Sequence, residues 1–487
     1  MQLLPPPGWT KEPYDFGVLP RASGGYDRAV PERNTCAIFV LAALFFGPSD
    51  TCRASVPLLR YRVHVGAELA EVELVLPSGA RRLVPGDDGA GLGIHAVTPS
   101  QGRAVPDDGG FLLSGVGRGA TVRYRVSLER AAATSFGGRL DDGVILPADA
   151  LLLRPARLAE DGAEVTITSA AGVFVSAPWL RSGDHFVLDH DALVEGGWIA
   201  VGGRPPVLRT TGKTRLEIAV VGAGARAERL VRWVEEAARA VATVSGGAFP
   251  TARAQVVVAA LPGQKRPVFG ECQRAGGPSV LLLVGRDTDD ATLAEDWMAP
   301  HELFHVGVPR IYPRTPWLAE GLATYFAAVA RARAGKIDRP RLWHMLMAGA
   351  KDADGDGSLG EASATLGRHH DYDRVYWGGA SVALLIDLAL RRAGVHGGLP
   401  ARLTALRRAT HDAMDVVTAE RVLAALDGGT GVLGPIVARY VAGRVSPRVA
   451  LDALWPALGV LDDGERARLD DRAPLAPLRR AIDGQQP

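Results

Sequence analysis

Two long stretches of the chain differ in the spacing of their apolar residues. Between residues 58 and 203, apolar and polar residues alternate in short runs such as YRVHV and AEVELVL. Alternation with a period of two is typical of half-buried strands, because successive side chains point to opposite faces of a sheet. Turn-forming runs such as PGDDGAG and PDDGG separate these segments. The pattern predicts an N-terminal antiparallel β domain over residues 56–205.

After residue 205 the spacing changes. The run TRLEIAVVGAG predicts a strand, and the following RAERLVRWVEEAARAVATVSGG has apolar residues at helical spacing. From Ala291 onward helices dominate the prediction. Glycine and proline are expected to end several of them: Gly307, Pro309, Gly335 and Gly394. We therefore expect an α+β chain with a second domain over residues 206–445 and a helical C-terminal tail over residues 446–487.

Composition excludes some classes of function. The 487 residues carry 55 Lys and Arg against 54 Asp and Glu, and no basic run with interleaved aromatic residues occurs, so a nucleic-acid partner is not expected. The cysteines Cys36, Cys52 and Cys272 are widely spaced and form no CxxC pair. Neither a disulfide framework nor a thiolate metal site is predicted, so a metal would need histidine and carboxylate ligands.

Residues 1–55 form a Pro- and Gly-rich leader that contains the uncharged apolar run CAIFVLAALFFG, residues 36–47. This run is too short to span a bilayer and has the length of the apolar part of a secretory signal. A buried strand or helix is the alternative. If the signal is used, we expect cleavage near Ser55 and an exported mature chain without a transmembrane helix; otherwise the protein is expected to be cytoplasmic.

The stretch WMAPHELFHVGVPR contains the most specific chemistry of the chain. His301 and His305 are four residues apart, so on a helix both imidazoles project from one face and can bind one ion. Glu302 lies beside them. A catalytic zinc needs neutral nitrogen ligands and an open position for water, and a neighbouring carboxylate can take the proton of that water. The alternative is an amphipathic helix whose histidines make ordinary hydrogen bonds.

A third ligand is predicted in TPWLAEGLATYF. Thr315 and Pro316 are suited to the N-cap and first position of a helix, which places Glu320 about one turn into it. An unpaired carboxylate would be costly among the apolar neighbours of Glu320. These neighbours are Trp317, Leu318, Leu322, Tyr325 and Phe326. Zinc would supply the missing positive partner, so the sequence predicts a zinc site of His301, His305 and Glu320.

HExxH followed by WxxEGxAxYF is similar to the gluzincin peptidases, the superfamily of thermolysin and the aminopeptidase N group. The later segment YWGGASVALLIDLALRRAG, which begins at Tyr376, resembles most the glycyl aminopeptidase family. The resemblance covers about residues 210–445 and, by architecture, the preceding β domain. It implies a thermolysin-like zincin catalytic domain with one zinc on the three predicted ligands. It also implies that Glu302 is the general base and that Tyr376 donates to the oxyanion.

Several positions depart from this pattern. Fourteen residues separate His305 from Glu320, fewer than is usual in the superfamily, and no Trp-Asn follows HELFH. Gly378 stands where a lysine is common, and no PDZ module is evident in the tail. The sequence therefore resembles a divergent branch.

The role of Tyr376 has alternatives. A phenol near an electrophilic carbonyl can bind the developing negative charge, but a buried tyrosine could also simply open an apolar helix. His369 and His370 in GRHHDYD are competing candidates for the same role, or they are surface histidines.

The run DADGDGSLGE places Asp352, Asp354 and Asp356 at alternate positions with Gly357 sixth, as in a calcium loop. The twelfth position is Ser363 rather than the closing glutamate. The sequence therefore favours a solvated acidic turn over a calcium site.

Aminopeptidases of the superfamily bind the substrate ammonium with a glutamate that lies in a Gly-rich motif just ahead of an edge strand. The matching place here is VFGECQRAGGPSVLLLVG, where Glu271 precedes the apolar run Ser279 to Val284. A shift of one residue would put Cys272 at the key position, and a solvent-exposed loop glutamate is the alternative.

The sequence thus predicts a zinc-dependent metallopeptidase acting on peptides or proteins, and an aminopeptidase if Glu271 has this role. Two alternatives stay open. One is a zincin fold kept as a binding module without turnover, against which the intact Glu302 argues. The other is a zinc hydrolase that acts on a non-peptide substrate.

Overall fold

A computed structural model describes residues 58–86, 93–133, 137–158, 162–411, 413–464 and 466–485. The predicted leader, its signal-like segment and the cysteines Cys36 and Cys52 lie outside these residues, so export stays a prediction. Cys272 is a free thiol. Within the described ranges, no helix combines the length and the apolar character needed to cross a membrane.

The N-terminal region consists mainly of short strands. They are β1 (Leu59–Val65), β2 (Leu69–Leu76), β3 (Arg82–Val84), β4 (Ile94–Pro99), β5 (Arg103–Asp107), β6 (Gly110–Ser114), β7 (Ala120–Ser127), β8 (Gly138–Leu140), β9 (Gly143–Pro147), β10 (Arg154–Pro155), β11 (Gly162–Ser169), β12 (Phe174–Ser176), β13 (Leu180–Ser182), β14 (His185–Asp189) and β15 (Trp198–Gly202). Two short helices accompany them, α1 (Leu128–Ala132) and α2 (His190–Val194).

These strands form one seven-stranded sheet and two four-stranded sheets. The seven-stranded sheet has the order β13-β14-β11-β1-β2-β7-β4, and β1 alternates strictly between buried and exposed residues. The prediction of antiparallel pairing is wrong for one pair, β1 and β11, which run parallel with Leu59 opposite Ala163. After β7 the chain builds strands of the smaller sheets and returns on the far side of β1 in the same direction, as a parallel pair requires.

The second region is built on a five-stranded sheet. Its strands are β16 (Val207–Thr211), β17 (Thr214–Val221), β18 (Arg253–Leu261), β19 (Pro267–Gln273) and β20 (Ser279–Gly285), and α3 (Ala227–Val244) connects β17 to β18. The order is β16-β17-β18-β20-β19, with β17, β18 and β20 parallel and both edge strands antiparallel. One face packs on helices, and the other packs on Ile145 and Trp198 of the N-terminal region.

Helices follow the sheet. They are α4 (Asp290–Ala294), α5 (Met298–His305), α6 (Pro316–Arg333), α7 (Arg339–Asp352), α8 (Leu359–Ala364), α9 (Leu366–His369), α10 (Tyr372–Arg392), α11 (Gly398–Ala409), α12 (Ala419–Asp427), α13 (Leu433–Val437), α14 (Pro447–Leu458) and α15 (Ala476–Asp483). Two strand pairs lie among them: β21 (Arg310–Ile311) with β22 (Val416–Val417), and β23 (Val460–Asp462) with β24 (Ala467–Leu469). The hairpin β23-β24 lies in the tail that the sequence predicts as helical.

Helices α6 and α10 cross at glycines. A Cβ atom added to Gly321 would lie 2.4 Å from the backbone of Gly379, and one added to Gly379 would lie 2.0 Å from the carbonyl oxygen of Trp317. Neither position therefore admits a side chain, and the two helices meet backbone to backbone. Because Gly321 follows Glu320 and Gly379 lies one turn after Tyr376, this crossing brings the two functional candidates to the same place.

Candidate metal centre

Helix α5 carries the HELFH segment in the interior of the second region. Its first turn is fixed by Asp296, whose carboxylate accepts hydrogen bonds from the N–H groups of Met298 (3.0 Å) and Ala299 (2.9 Å). All eight residues of α5 are buried, and it ends at His305, two residues before Gly307. The predicted helix and its end are therefore confirmed.

Three ligand atoms from α5 and α6 converge on one point. The distances His301 Nε2 to Glu320 Oε2, His305 Nε2 to Glu320 Oε2 and His301 Nε2 to His305 Nε2 are each 3.2 Å. Tetrahedral zinc with bonds of about 2.0–2.1 Å would hold its ligand atoms about 3.3–3.4 Å apart. Within the described ranges, no other group of three His, Cys, Asp or Glu residues brings its ligand atoms within 4.8 Å of one another. The spacing of these ligand atoms therefore fits a zinc ion. We call the three residues the metal centre.

Helix α6 positions Glu320 as the sequence predicts, with Thr315 at the N-cap and Pro316 at the first position. The Thr315 hydroxyl caps no helical N–H group and instead donates to the Pro313 carbonyl (3.0 Å). Burial acts to raise the pKa of the Glu320 carboxyl, but the charge of His305 and hydrogen bonds from both imidazoles outweigh it, so this pKa lies below its ordinary value. Burial lowers the pKa of His301, which favours the neutral imidazole that a metal requires.

Glu302 lies against the edge strand β19. A Cβ atom added to Gly270 would lie 2.5 Å from Glu302 Cγ, so only glycine lets the strand approach this closely. Burial raises the pKa of the Glu302 carboxyl well above its ordinary value, and the charges of Glu320 and Glu271 add to the effect. Glu302 is therefore a desolvated carboxyl between the metal centre and the edge strand of the sheet.

Tyr376 packs on the metal centre from α10. Its ring stacks on that of His301, with centroids 5.9 Å apart and planes 4° from parallel. Its buried hydroxyl lies beside the Glu320 carboxylate, and the buried His301 Nδ1 has no hydrogen-bond partner among the described residues. Burial and the charges of Glu320 and Glu302 raise the pKa of Tyr376 well above its ordinary value. The phenol therefore stays protonated as a donor.

His369 and His370, the competing histidines, are both exposed. His370 Nδ1 lies 3.3 Å from the Tyr372 hydroxyl, and neither histidine joins the metal centre. The structure thus places Tyr376 at the site and both histidines at the surface.

The structure corrects the expected position of the edge strand. Glu271 lies within β19, which is itself the edge, whereas the apolar run expected at the edge is β20, one strand further in. Glu271 pairs with Leu281 and accepts a hydrogen bond from Gln273 Nε2 (2.9 Å). Since side chains alternate along a strand, Cys272 shares the face of Gly270 that is turned toward Glu302, and Glu271 lies on the opposite face. Burial raises the pKa of the Cys272 thiol to about 12.

Some residues of the site escape prediction from the sequence. Arg274, just after β19, donates to the carbonyl of His305 and so ties the edge strand to the last turn of α5. Trp297 packs edge-on against the His301 ring, with centroids 5.4 Å apart. Trp297 precedes His301 by four residues, so helical spacing alone could have identified it. Arg274 and Gly270 have no such signal, because their contacts depend on the tertiary fold.

The acidic loop, residues 352–357, already contains a cation from the chain. The Arg374 guanidinium donates to the carbonyls of Gly355 (3.3 Å), Asp356 (2.6 Å) and Gly357 (2.9 Å). Asp354 pairs with Arg448. Three carbonyls of the loop and the Asp354 carboxylate are thus bonded within the chain. The preference for an acidic turn over a calcium site stays a prediction.

No protein-family model matches the chain, and no curated protein matches its sequence. Among solved structures, an aminopeptidase N family protein from Idiomarina loihiensis is 16% identical, with a TM-score of 0.64 over 84% of this chain and 80% of that one. An M1 zinc metallopeptidase mutant from Deinococcus radiodurans bound to a Tyr-Ser-Ala substrate is 15% identical, with a TM-score of 0.46 over 80% and 94%. The finer relations to thermolysin and to glycyl aminopeptidases stay predictions. The first of these likenesses gives the chain the fold of an aminopeptidase N family protein.

Proposed function

We propose that the chain is a zinc metallopeptidase that hydrolyses peptide bonds. The observation that carries this proposal is the 3.2 Å triangle of two imidazole nitrogens and one carboxylate oxygen, with Glu302 adjacent on the same helix. His301, His305 and Glu320 would hold the ion. A zinc ion at such a site supplies a Lewis acid and lowers the pKa of water bound to it.

Glu302 acts as the general base in this proposal. Its carboxylate takes a proton from the attacking water and later delivers it to the leaving amine. Burial of this residue, which is 4% exposed, keeps bulk water away from the transfer. The close approach of Gly270 leaves the edge of β19 beside the carboxylate, where an extended peptide could pair with the strand.

Tyr376 stabilises the oxyanion. The carbonyl oxygen of the substrate gains negative charge when water adds, and a pre-positioned phenol can donate to it. Its position against the ring of His301 and beside the Glu320 carboxylate supports this role.

Aminopeptidase action is the finer part of the proposal. Glu271 would bind the free ammonium of the substrate from the edge strand. Its contribution to the raised pKa of Glu302 supports its closeness to the reacting groups. An unblocked peptide is then expected to be cleaved well and its N-acetylated copy poorly. Glu271→Ala should narrow the difference, with Glu271→Gln as the matched control for charge, and equal cleavage of both peptides would indicate an endopeptidase instead.

The decisive experiment measures cleavage of a mixed peptide library by the full chain, loaded with one equivalent of zinc. We expect cleavage that a zinc chelator abolishes and added zinc restores. A zinc-loaded protein that cleaves no peptide would overturn the proposal and leave the two alternatives, a binding module or a hydrolase of non-peptide substrates.

A further inference from the structure

A cavity lies next to the metal centre, between α6 and α10. Thr324, Ala327, Ala328 and Arg331 form one wall, at the spacing of one helix face, and Tyr376 and Trp377 belong to the opposite wall. Its enclosed part measures about 30 Å³ and opens to solvent at the mouth. This part has room for about two groups of the size of a water molecule, such as the polar tip of a side chain.

The cavity shares two side chains with the metal centre. Trp297 and Tyr376 both line it and both pack on the ring of His301. The Tyr376 hydroxyl thus belongs to the reacting site and to the cavity at once. A substrate side chain beside the cleaved bond would therefore meet the cavity as its neighbouring carbonyl meets Tyr376.

Two buried polar atoms in the lining have no hydrogen-bond partner among the described residues. They are Thr324 Oγ1 and Arg331 Nε, on residues that are 8% and 3% exposed. An arginine Nε–H can only donate, and a hydroxyl can donate as well. Leaving such groups unsatisfied is costly, so the cavity is suited to an occupant that presents an acceptor oxygen.

Charge and shape restrict the occupant further. Arg331 Nη2 donates to the Glu295 carbonyl, and the carboxylate of Glu295 accepts two hydrogen bonds from Arg341 at 3.0 Å each. The carboxylate of Asp296 accepts from the first turn of α5, and its charge partly offsets that of Arg331. The remaining walls include the apolar side chains of Ala327, Ala328 and Trp377 and the carboxylate of Asp373. A side chain with a methylene stem and an oxygen at its tip matches both features.

We propose that this cavity is a specificity pocket for glutamate or glutamine next to the scissile bond, with Arg331 and Thr324 donating to the oxygen at the tip. This inference rests on the proposed peptidase function and adds the class of substrate to it. An acceptor oxygen is common to both side chains. The charge of Arg331 favours the carboxylate of glutamate, and the charge of Asp373 opposes it.

The test measures kcat/KM of the zinc-loaded full chain on peptide sets that carry Glu, Gln, Met, Leu or Ala on either side of the cleaved bond. Met matches the length of Gln without an oxygen. We expect Glu and Gln to exceed Met and Leu by about 10- to 100-fold at one of the two positions, as for a pocket built to bond a polar tip.

Variants assign the preference to its donors. Thr324→Val keeps the shape and removes a donor, and Arg331→Met removes the guanidinium, so each should reduce the preference about tenfold with zinc content unchanged. Arg333→Met is the matched control, because Arg333 lies on the same helix but donates to the carbonyls of Ile482 and Thr243 and does not line the cavity. It should leave the preference intact.

Each result has one meaning. A wild type that cleaves peptides without favouring Glu or Gln overturns the pocket and leaves the peptidase standing. A preference that survives Thr324→Val and a folded Arg331→Met also overturns it, and indicates a cavity filled by water. If Arg331→Met does not fold, Thr324→Val decides alone. A zinc-loaded wild type that cleaves nothing overturns the proposed function and this inference with it.

Discussion

The metal centre and the acidic loop both gather groups that bind cations, but the source of positive charge differs between them. In the loop, Arg374 bonds three carbonyls and Arg448 pairs with Asp354. In the metal centre, two imidazoles and a carboxylate face one another, and no arginine or lysine is hydrogen-bonded to these side chains in the described structure. A ligand-like spacing in a sequence therefore indicates an ion only where the fold does not bring in a cation of its own.

The sharpest test of this contrast removes a ligand from the metal centre in one variant and a carboxylate from the acidic loop in another. His305→Ala should reduce bound zinc from about one per chain to almost none, because two ligands hold zinc far more weakly than three. Asp354→Asn in the acidic loop should leave zinc unchanged. Elemental analysis of both proteins after purification with zinc checks the pair, and full zinc in His305→Ala would contradict the assigned ligands.

Glu302→Gln separates the base from the ligands. The amide cannot accept a proton, so turnover should fall about 10³-fold, within the usual range for loss of a general base. Zinc content should stay at the wild-type level because Glu302 is not a ligand. Steady-state kinetics together with metal analysis tests this, and near-normal turnover would refute the role of Glu302.

Tyr376→Phe should have a smaller effect on catalysis. It keeps the ring that stacks on His301 and removes the hydroxyl, so kcat should fall about 10²-fold with little change in KM, as for a donor that acts in the transition state. Tyr372→Phe, one turn earlier on α10, is the matched control and should retain most activity. An unchanged kcat in Tyr376→Phe would move the oxyanion role to another group.

The loop side of the comparison is tested by Arg374→Met. Loss of the hydrogen bonds to three carbonyls should lower the free energy of unfolding by about 2–3 kcal/mol, since bonds to a charged donor are among the stronger ones. Urea unfolding measures the loss, and zinc content should not change. Wild-type stability should be insensitive to millimolar calcium, and a clear rise in melting temperature on adding it would show that the loop binds calcium after all.

The convergence of His301, His305 and Glu320 is accessible to prediction because their spacing is local. His301 and His305 need only a helix, and Glu320 needs only a helix start at Pro316, which the residues themselves signal. The edge strand was not accessible, since VFGECQ lacks an alternating apolar pattern and reads as a loop. Its place at the edge depends on pairing with β20, which no short stretch specifies.

Long-range pairing limits the prediction of the fold in the same way. The alternation in β1 and β11 predicts two strands, but the pattern is identical whether their neighbours run parallel or antiparallel. Gly321 and Gly379 lie within the segments that carry the resemblance. The need for glycine at these positions comes from the crossing of two helices that are far apart in the chain. Periodicity shows which face of a strand or helix is buried, but it does not identify the element that packs against that face.

Motion between Glu320 and Tyr376 is restricted by the glycine crossing of α6 and α10. Because the two backbones touch at Gly321 and Gly379, the helices cannot move closer together there. The crossing therefore sets the separation of the backbone positions that carry the carboxylate and the phenol. A site whose groups are positioned in advance needs little reorganisation when charge develops on a substrate.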